Sequence, residues 1–164
     1  MVSQRGFSLI ELLVVLALLG FLLSLAVPFA SSWSNQSKLQ NAAQLLQQGI
    51  GRTKALALRN QYGIRPRLEG NIRVDKTVAI LCLASTTPRL NIYTATMGAE
   101  AATCSGTAVW SAELPQELTI TNTGKNFTCL ALNSRGLPIN INNCSTKSEY
   151  TLSIGGESET VTFN

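Results

Sequence analysis

The sequence predicts an α+β protein: a long N-terminal α-helix, transmembrane in its first half and amphipathic in its second, packed on an antiparallel β-sheet body. Three observations predict it. An apolar run extends from Leu9 to Ala30, interrupted only by Glu11 and Ser24. A helical stripe follows, Leu39, Ala43, Leu46, Ile50, Thr53 and Ala57, spaced four and three residues apart. Beyond Ile72 the apolar period falls to two, with turn residues between the runs.

The apolar run holds about 22 residues, or about 33 Å of helix, enough to cross a bilayer core. Arg5 is the charge that precedes it, and the next basic residue is Lys38. This weakly favours an N-terminus inside and a body outside. A carboxylate at membrane depth costs roughly 2.5–3.5 kcal/mol, so Glu11 implies a functional partner. A secretory signal peptide would need its cleavage site near Ala30, where Pro28 stands in place of a small residue. A plain signal anchor leaves Glu11 unexplained.

After a polar stretch around Ser31–Ser37, with Trp33 placed to serve as an interfacial anchor or equally as a subunit contact, the amphipathic segment begins. Ala42 and Leu45 widen its apolar stripe. Lys38, Gln40, Asn41, Gln44, Gln47, Gln48, Arg52 and Lys54 occupy the other face. The stretch Asn60-Gln61-Tyr62-Gly63 predicts the stop, with Gly63 near the C-cap. A helix from Phe7 to Asn60 would be about 81 Å long.

The expected strands are Val74–Leu83, Leu90–Ala95, Leu118–Thr123, Phe127–Leu132, Tyr150–Ile154 and Thr160–Phe163. Turns at Thr87-Pro88, Thr123-Gly124-Lys125-Asn126, Ser134–Pro138 and Gly155-Gly156 separate them. At 164 residues the chain has room for one membrane segment and one modest domain. The boundaries expected are 1–6 for a leader, 7–30 for the membrane helix, 31–62 for the amphipathic helix and 63–164 for the β domain.

The four cysteines, Cys82, Cys104, Cys129 and Cys144, all lie beyond the apolar run. An even count in an exported domain reads as disulfides. Their spacing offers no C-x-x-C redox pair and none of the short-spaced pairs of a four-cysteine zinc site. Of three possible connectivities, nearest-neighbour pairing, Cys82–Cys104 and Cys129–Cys144, is preferred. Each bridge is expected to stabilise the domain by about 3 kcal/mol. The chain has no histidine to activate Ser134 and no plausible nucleophile–base pair, so an enzyme is not expected. No cofactor or metal is implied.

Gly6-Phe7-Ser8-Leu9-Ile10-Glu11-Leu12, behind the short polar leader, resembles the processing motif of type IV pilins and type II secretion pseudopilins. The resemblance implies cleavage after Gly6 by a prepilin peptidase and N-methylation of Phe7. It also implies that Glu11 pairs with the N-terminal amine of a neighbouring subunit, which lowers the cost of both buried charges and sets axial register. Gly20 and Pro28 fall where such proteins often carry glycine and proline, and they are the expected positions of a helix break in assembled pili.

Leu132-Asn133-Ser134-Arg135-Gly136-Leu137-Pro138, Lys54–Arg59, and Trp110 followed by Leu114-Pro115 resemble segments of H-type pseudopilins and FimT/FimU-like minor pilins, the GspH/FimT-like branch. The resemblance implies a FimU-like minor pilin that primes pilus assembly or links tip proteins to the major pilin, with an H-type pseudopilin of type II secretion as the alternative. Its partners would be other major and minor pilins, met through the N-terminal helices, and the prepilin peptidase. It would sit in the bacterial inner membrane as a single pass, N-terminus cytoplasmic and body periplasmic, and then reach the pilus surface.

Net charge is +4, which by itself describes a solvated surface. Arg52, Lys54, Arg59, Arg65, Arg67, Arg73 and Lys76 nevertheless form a basic belt around the helix end. It would suit phosphate contacts in a FimT-like DNA-uptake pilin. The acidic ending Glu157–Asn164 departs from the Arg-containing C-terminal motif of such DNA binders.

Overall fold

The computed structural model describes residues 8–141 and 143–163 and, at positions 25–30, the backbone only. Helix α1 spans Leu9–Arg59 and is continuous through Gly20 and position 28. Ser8 stands at its N-cap without a side-chain cap bond. Its C-terminus is set by Asn60, which adopts the left-handed conformation at φ 39° and donates its backbone N–H to the Leu56 carbonyl. The Asn60 side chain also binds both backbone groups of Ile64, at 2.8 and 2.9 Å. Asparagine tolerates that conformation because its amide can bond locally. The cap is thus Asn60 itself, and Gly63 lies in the turn beyond it.

Two short strands follow, β1 (Arg67–Glu69) and β2 (Ile72–Val74), paired as an antiparallel hairpin whose residues are all exposed. The run expected as one strand, Val74–Leu83, is divided. β2 ends at Val74, and β3 (Ala79–Leu83) starts after a link in which Asp75 bonds to a distant turn. β4 spans Arg89–Thr94, and β5 (Trp110–Glu113) lies in a segment for which no strand is expected from sequence.

β6 (Thr119–Asn122), β7 (Lys125–Asn126), β8 (Cys129–Leu132), β9 (Glu149–Ile154) and β10 (Glu157–Thr162) complete the chain. β10 starts three residues earlier than expected because the two-residue Gly155-Gly156 turn pairs Glu157 directly with Ile154. Two antiparallel four-stranded sheets result, in the orders β5-β4-β3-β8 and β10-β9-β6-β7. The architecture is therefore α+β, an N-terminal helix against antiparallel sheets.

The helical stripe organises the main core. Leu39, Ala42, Ala43, Leu46, Ile50, Thr53 and Ala57 are all buried. They pack with Leu81, Leu90 and Ile92 of the first sheet and Ile120, Tyr150, Leu152 and Ile154 of the second. Thr53 satisfies its hydroxyl by donating to the Gly49 carbonyl at 2.7 Å. Gly49 itself is buried, and a Cβ there would stand 3.3 Å from the Trp110 ring and 3.4 Å from Leu81. The absent side chain lets β5 approach the helix.

β3 and β8 are buried on both faces, which explains their continuous apolar runs. Their outer face holds a second core of Ile80, Cys82, Ala95, Ala102, Cys129, Ala131 and Cys144. Cys82 and Cys129 stand opposite each other in the ladder. Cys82 is bonded to Cys104 and Cys129 to Cys144, so each bridge staples one flanking loop over this face.

Candidate assembly surface

The first turns of α1 bury none of their described side chains. Every described side chain from Ser8 to Ser24 is exposed, including Leu9 at 82% and Leu23 at 67%. This surface has no polar face. Beyond Ser8 only Glu11 and Ser24 interrupt it, and Ser24 turns its hydroxyl back to the Phe21 carbonyl at 2.7 Å. A contiguous apolar surface of this extent marks a site of lipid or protein contact. Among the described residues no helix is long and apolar enough to cross a membrane. The span expected from sequence, Leu9 to Ala30, includes positions 25–30, whose side chains fall outside the described set.

Glu11 lies in the first helical turn, on the exposed surface among Leu9, Ile10, Leu12 and Val15. The partial positive charge of a helix N-terminus favours a carboxylate there. Among the described residues no cation is ion-paired with Glu11. Gly6 and Phe7, the expected processing positions, lie outside the described residues.

Residues 1–27 match the prokaryotic N-terminal methylation motif. The match supports a type IV pilin-like protein, pilin or pseudopilin, anchored in the inner membrane. The motif points to a structural protein and implies association with other pilins and with a prepilin peptidase in general. No curated protein and no solved structure matches this chain.

The expected basic belt is divided among different tasks. Arg52 lies over the Trp110 ring, 5.4 Å from its centroid, a cation–π contact that holds β5 to the helix. Lys54 packs its stem beside Gly136. Arg73 pairs with Asp75 at 3.3 Å, and Lys76 with Glu100 at 3.5 Å. Arg59, Arg65 and Arg67 are exposed near the helix end.

Beside this belt lies a polar cluster that sequence reading missed. Asn133 is buried, and its side-chain oxygen accepts the backbone N–H groups of Arg135 and Leu137 at 2.9 and 3.0 Å. Its amide nitrogen donates to Asp75 at 2.8 Å, and Arg135 donates to the same carboxylate oxygen at 2.8 Å. Burial pushes the Asp75 carboxyl up. The bonds from Arg135 and Asn133, with the charges of Arg135 and Arg73, outweigh it and hold the group below the ordinary carboxylate range.

Asn133 therefore builds the turn, and Asp75 locks it to the link between β2 and β3. Gly136 stands at φ +71° in this turn, where a Cβ would meet Lys54 Cγ at 3.2 Å and Leu58 at 3.4 Å. Both the dihedral and the contact require glycine. The usable signal was the Asn-x-Arg pattern at a turn, since an asparagine there commonly bonds the backbone two residues on. Its partner Asp75 carried no local signal.

Tyr150, between Phe127 and Phe163 in edge-to-face contacts, is almost wholly buried. Burial pushes its phenol above the ordinary value, and the nearby Ser145 side chain offsets this only in part. The hydroxyl meets no partner at hydrogen-bond geometry. Among the described residues no group of three or more His, Cys, Asp or Glu side chains gathers to hold a metal ion.

Proposed function

We propose that this chain is a minor pilin, a structural subunit of a type IV pilus that primes assembly or links the tip complex to the major pilin. The observation that carries the reading is the division of one helix. Its first described turns lie within the methylation motif and stay exposed, while its second half buries an apolar stripe in a disulfide-stapled β body. Cleavage after Gly6 would free the Phe7 amine, and Glu11 of an adjacent subunit would neutralise it inside the apolar bundle. In the filament the segment between Gly20 and Pro28 would be the place where the helix loosens.

Two measurements test this. Mass spectrometry of the mature chain is expected to find N-methyl-Phe7; a start near Ser31 would overturn the reading. Glu11→Val is expected to leave cleavage intact and to abolish incorporation into filaments; undiminished incorporation would refute the amine pairing.

An H-type pseudopilin of type II secretion is the alternative, since the methylation motif is shared by both systems. Deletion decides: loss of piliation supports the pilin, loss of secretion the pseudopilin. A FimT-like DNA-binding role is favoured by one observation, the exposed Arg65 and Arg67 beside the helix end. Arg52 and Arg73 already have partners within the chain. A salt-titrated DNA shift separates this reading, and absence of binding at low salt removes it.

A further inference from the structure

The two disulfides meet in the sheet. Cys82 on β3 and Cys129 on β8 belong to different bridges, yet they are direct partners in the ladder. In the next pair along, Leu83 donates its backbone N–H to the Thr128 carbonyl at 2.8 Å. Bonded and non-bonded pairs alternate along an antiparallel ladder, so Cys82 and Cys129 form a non-hydrogen-bonded pair. The Cys129 carbonyl agrees, since it accepts the Ser145 N–H at 2.7 Å on the side away from β3. The α-carbons of such a pair lie about 4.5 Å apart. That is a span a disulfide can bridge, and the existing Cys129–Cys144 bond spans 4.6 Å. Both side chains belong to the outer core of the first sheet.

The four cysteines differ in what holds them and in what reaches them. Cys82 and Cys129 are fixed by strands, whereas Cys104 and Cys144 sit in the β4–β5 and β8–β9 links. Cys82, Cys129 and Cys144 are buried, and Cys104 is exposed. A cleft of about 650 Å³ runs over the group, lined by Cys104, Cys129 and Cys144 with Ile80, Thr103 and Thr128. An external thiolate therefore meets Cys104 first.

We infer that the four cysteines form a thiol-exchange relay, in which an external dithiol attacks Cys104 and the product is a Cys82–Cys129 bridge. A thiolate of the dithiol bonds to the Cys104 sulfur. The Cys82–Cys104 bond breaks, and its electron pair leaves on Cys82 as a thiolate. Cys82 then attacks the Cys129 sulfur opposite it. The Cys82–Cys129 bond forms, and Cys144 leaves as a thiolate that takes up a proton. The dithiol's second thiol closes on its first sulfur and expels Cys104, which is protonated in turn. The dithiol ends as its disulfide, and the protein gains two thiols, Cys104 and Cys144.

Direct reduction of one bridge would free one loop. The relay frees both loops in one reducing event, while the strands that carry the outer core stay covalently joined. Both steps take place in the body, so the inference holds for a pilus and for a pseudopilus subunit alike.

The test treats the full chain in detergent with a limiting amount of dithiothreitol, followed by alkylation and tryptic peptide mapping. Cleavage after Lys76, Arg89, Lys125, Arg135 and Lys147 puts each cysteine in its own peptide. The Cys82–Cys104 and Cys129–Cys144 linked peptides are expected to disappear in parallel. A Cys82–Cys129 peptide replaces them, with alkylation on Cys104 and Cys144. Alkylated Cys82 and Cys104 beside an intact Cys129–Cys144 bridge would overturn the inference.

Two variants separate the steps. Cys82→Ser with Cys104→Ser removes the point of entry, and the Cys129–Cys144 bridge is expected to survive the same treatment; its loss at the unmodified rate would exclude a relay. Cys104→Ser with Cys144→Ser leaves only the two strand cysteines, which are expected to oxidise to a single bridge. Two free thiols in that folded chain would show that the strands do not bring the sulfurs together.

Discussion

The two halves of α1 are the same secondary structure serving opposite ends. From Leu39 to Ala57 apolar residues keep to one stripe, and polar residues cover the remainder. The stripe is buried by two sheets. From Leu9 to Leu23 apolar residues surround the helix, and no described side chain buries them. A stripe specifies one intramolecular partner; an all-round apolar surface can be satisfied only by an environment, lipid or a bundle of like helices. The first half therefore matters to assembly and the second to folding, and substitutions should separate the two.

Leu46→Ala is the sharpest way to break the folding half. Leu46 is fully buried, and its truncation should cost about 2–5 kcal/mol, measured as a fall in the unfolding midpoint of the full chain in detergent. Next in size, Cys129→Ala with Cys144→Ala releases the loop over the outer face of the first sheet and should cost about 3 kcal/mol by the same measurement.

Asp75→Asn should produce a smaller, pH-dependent loss. The folded Asp75 carboxyl lies below its ordinary value of 3.8, so its contribution is complete above pH 3.8 and vanishes as the pH falls through the folded value. Unfolding curves of the wild type and the variant should differ most at neutral pH and converge in acid; parallel curves would exclude a role for the Asp75–Arg135 lock. Leu16→Ala should change the stability of the separate chain by less than about 0.5 kcal/mol, because Leu16 touches no part of the body. Filament incorporation should fall all the same. Equal loss of stability for Leu16→Ala and Leu46→Ala would erase the distinction between the halves.

What sequence could reveal followed from how regularly each region buries its surface. The helical stripe was fully legible, since all six of its spaced positions, Leu39 through Ala57, are buried. β4, β6 and β9 alternate as their residues suggest. β5 escaped notice because only Trp110 and Ala112 point inward, too brief an alternation to register. The β1–β2 hairpin buries nothing and so leaves no periodic trace. Glu11 was legible from chemistry alone, an acid where acids are costly. The Asp75–Asn133–Arg135 cluster was not, because its members lie in segments remote in sequence that only the folded sheet brings together.

The body grips its helix side-on, from Leu39 to Ala57, over about 27 Å of axis. In a filament under traction the pull runs parallel to that seam. Detaching the body then means sliding many interlocked side chains at once, a shearing geometry, instead of opening them one after another from an end. A subunit built this way would hold its body under axial loads that would unzip a contact of equal area pulled from its tip.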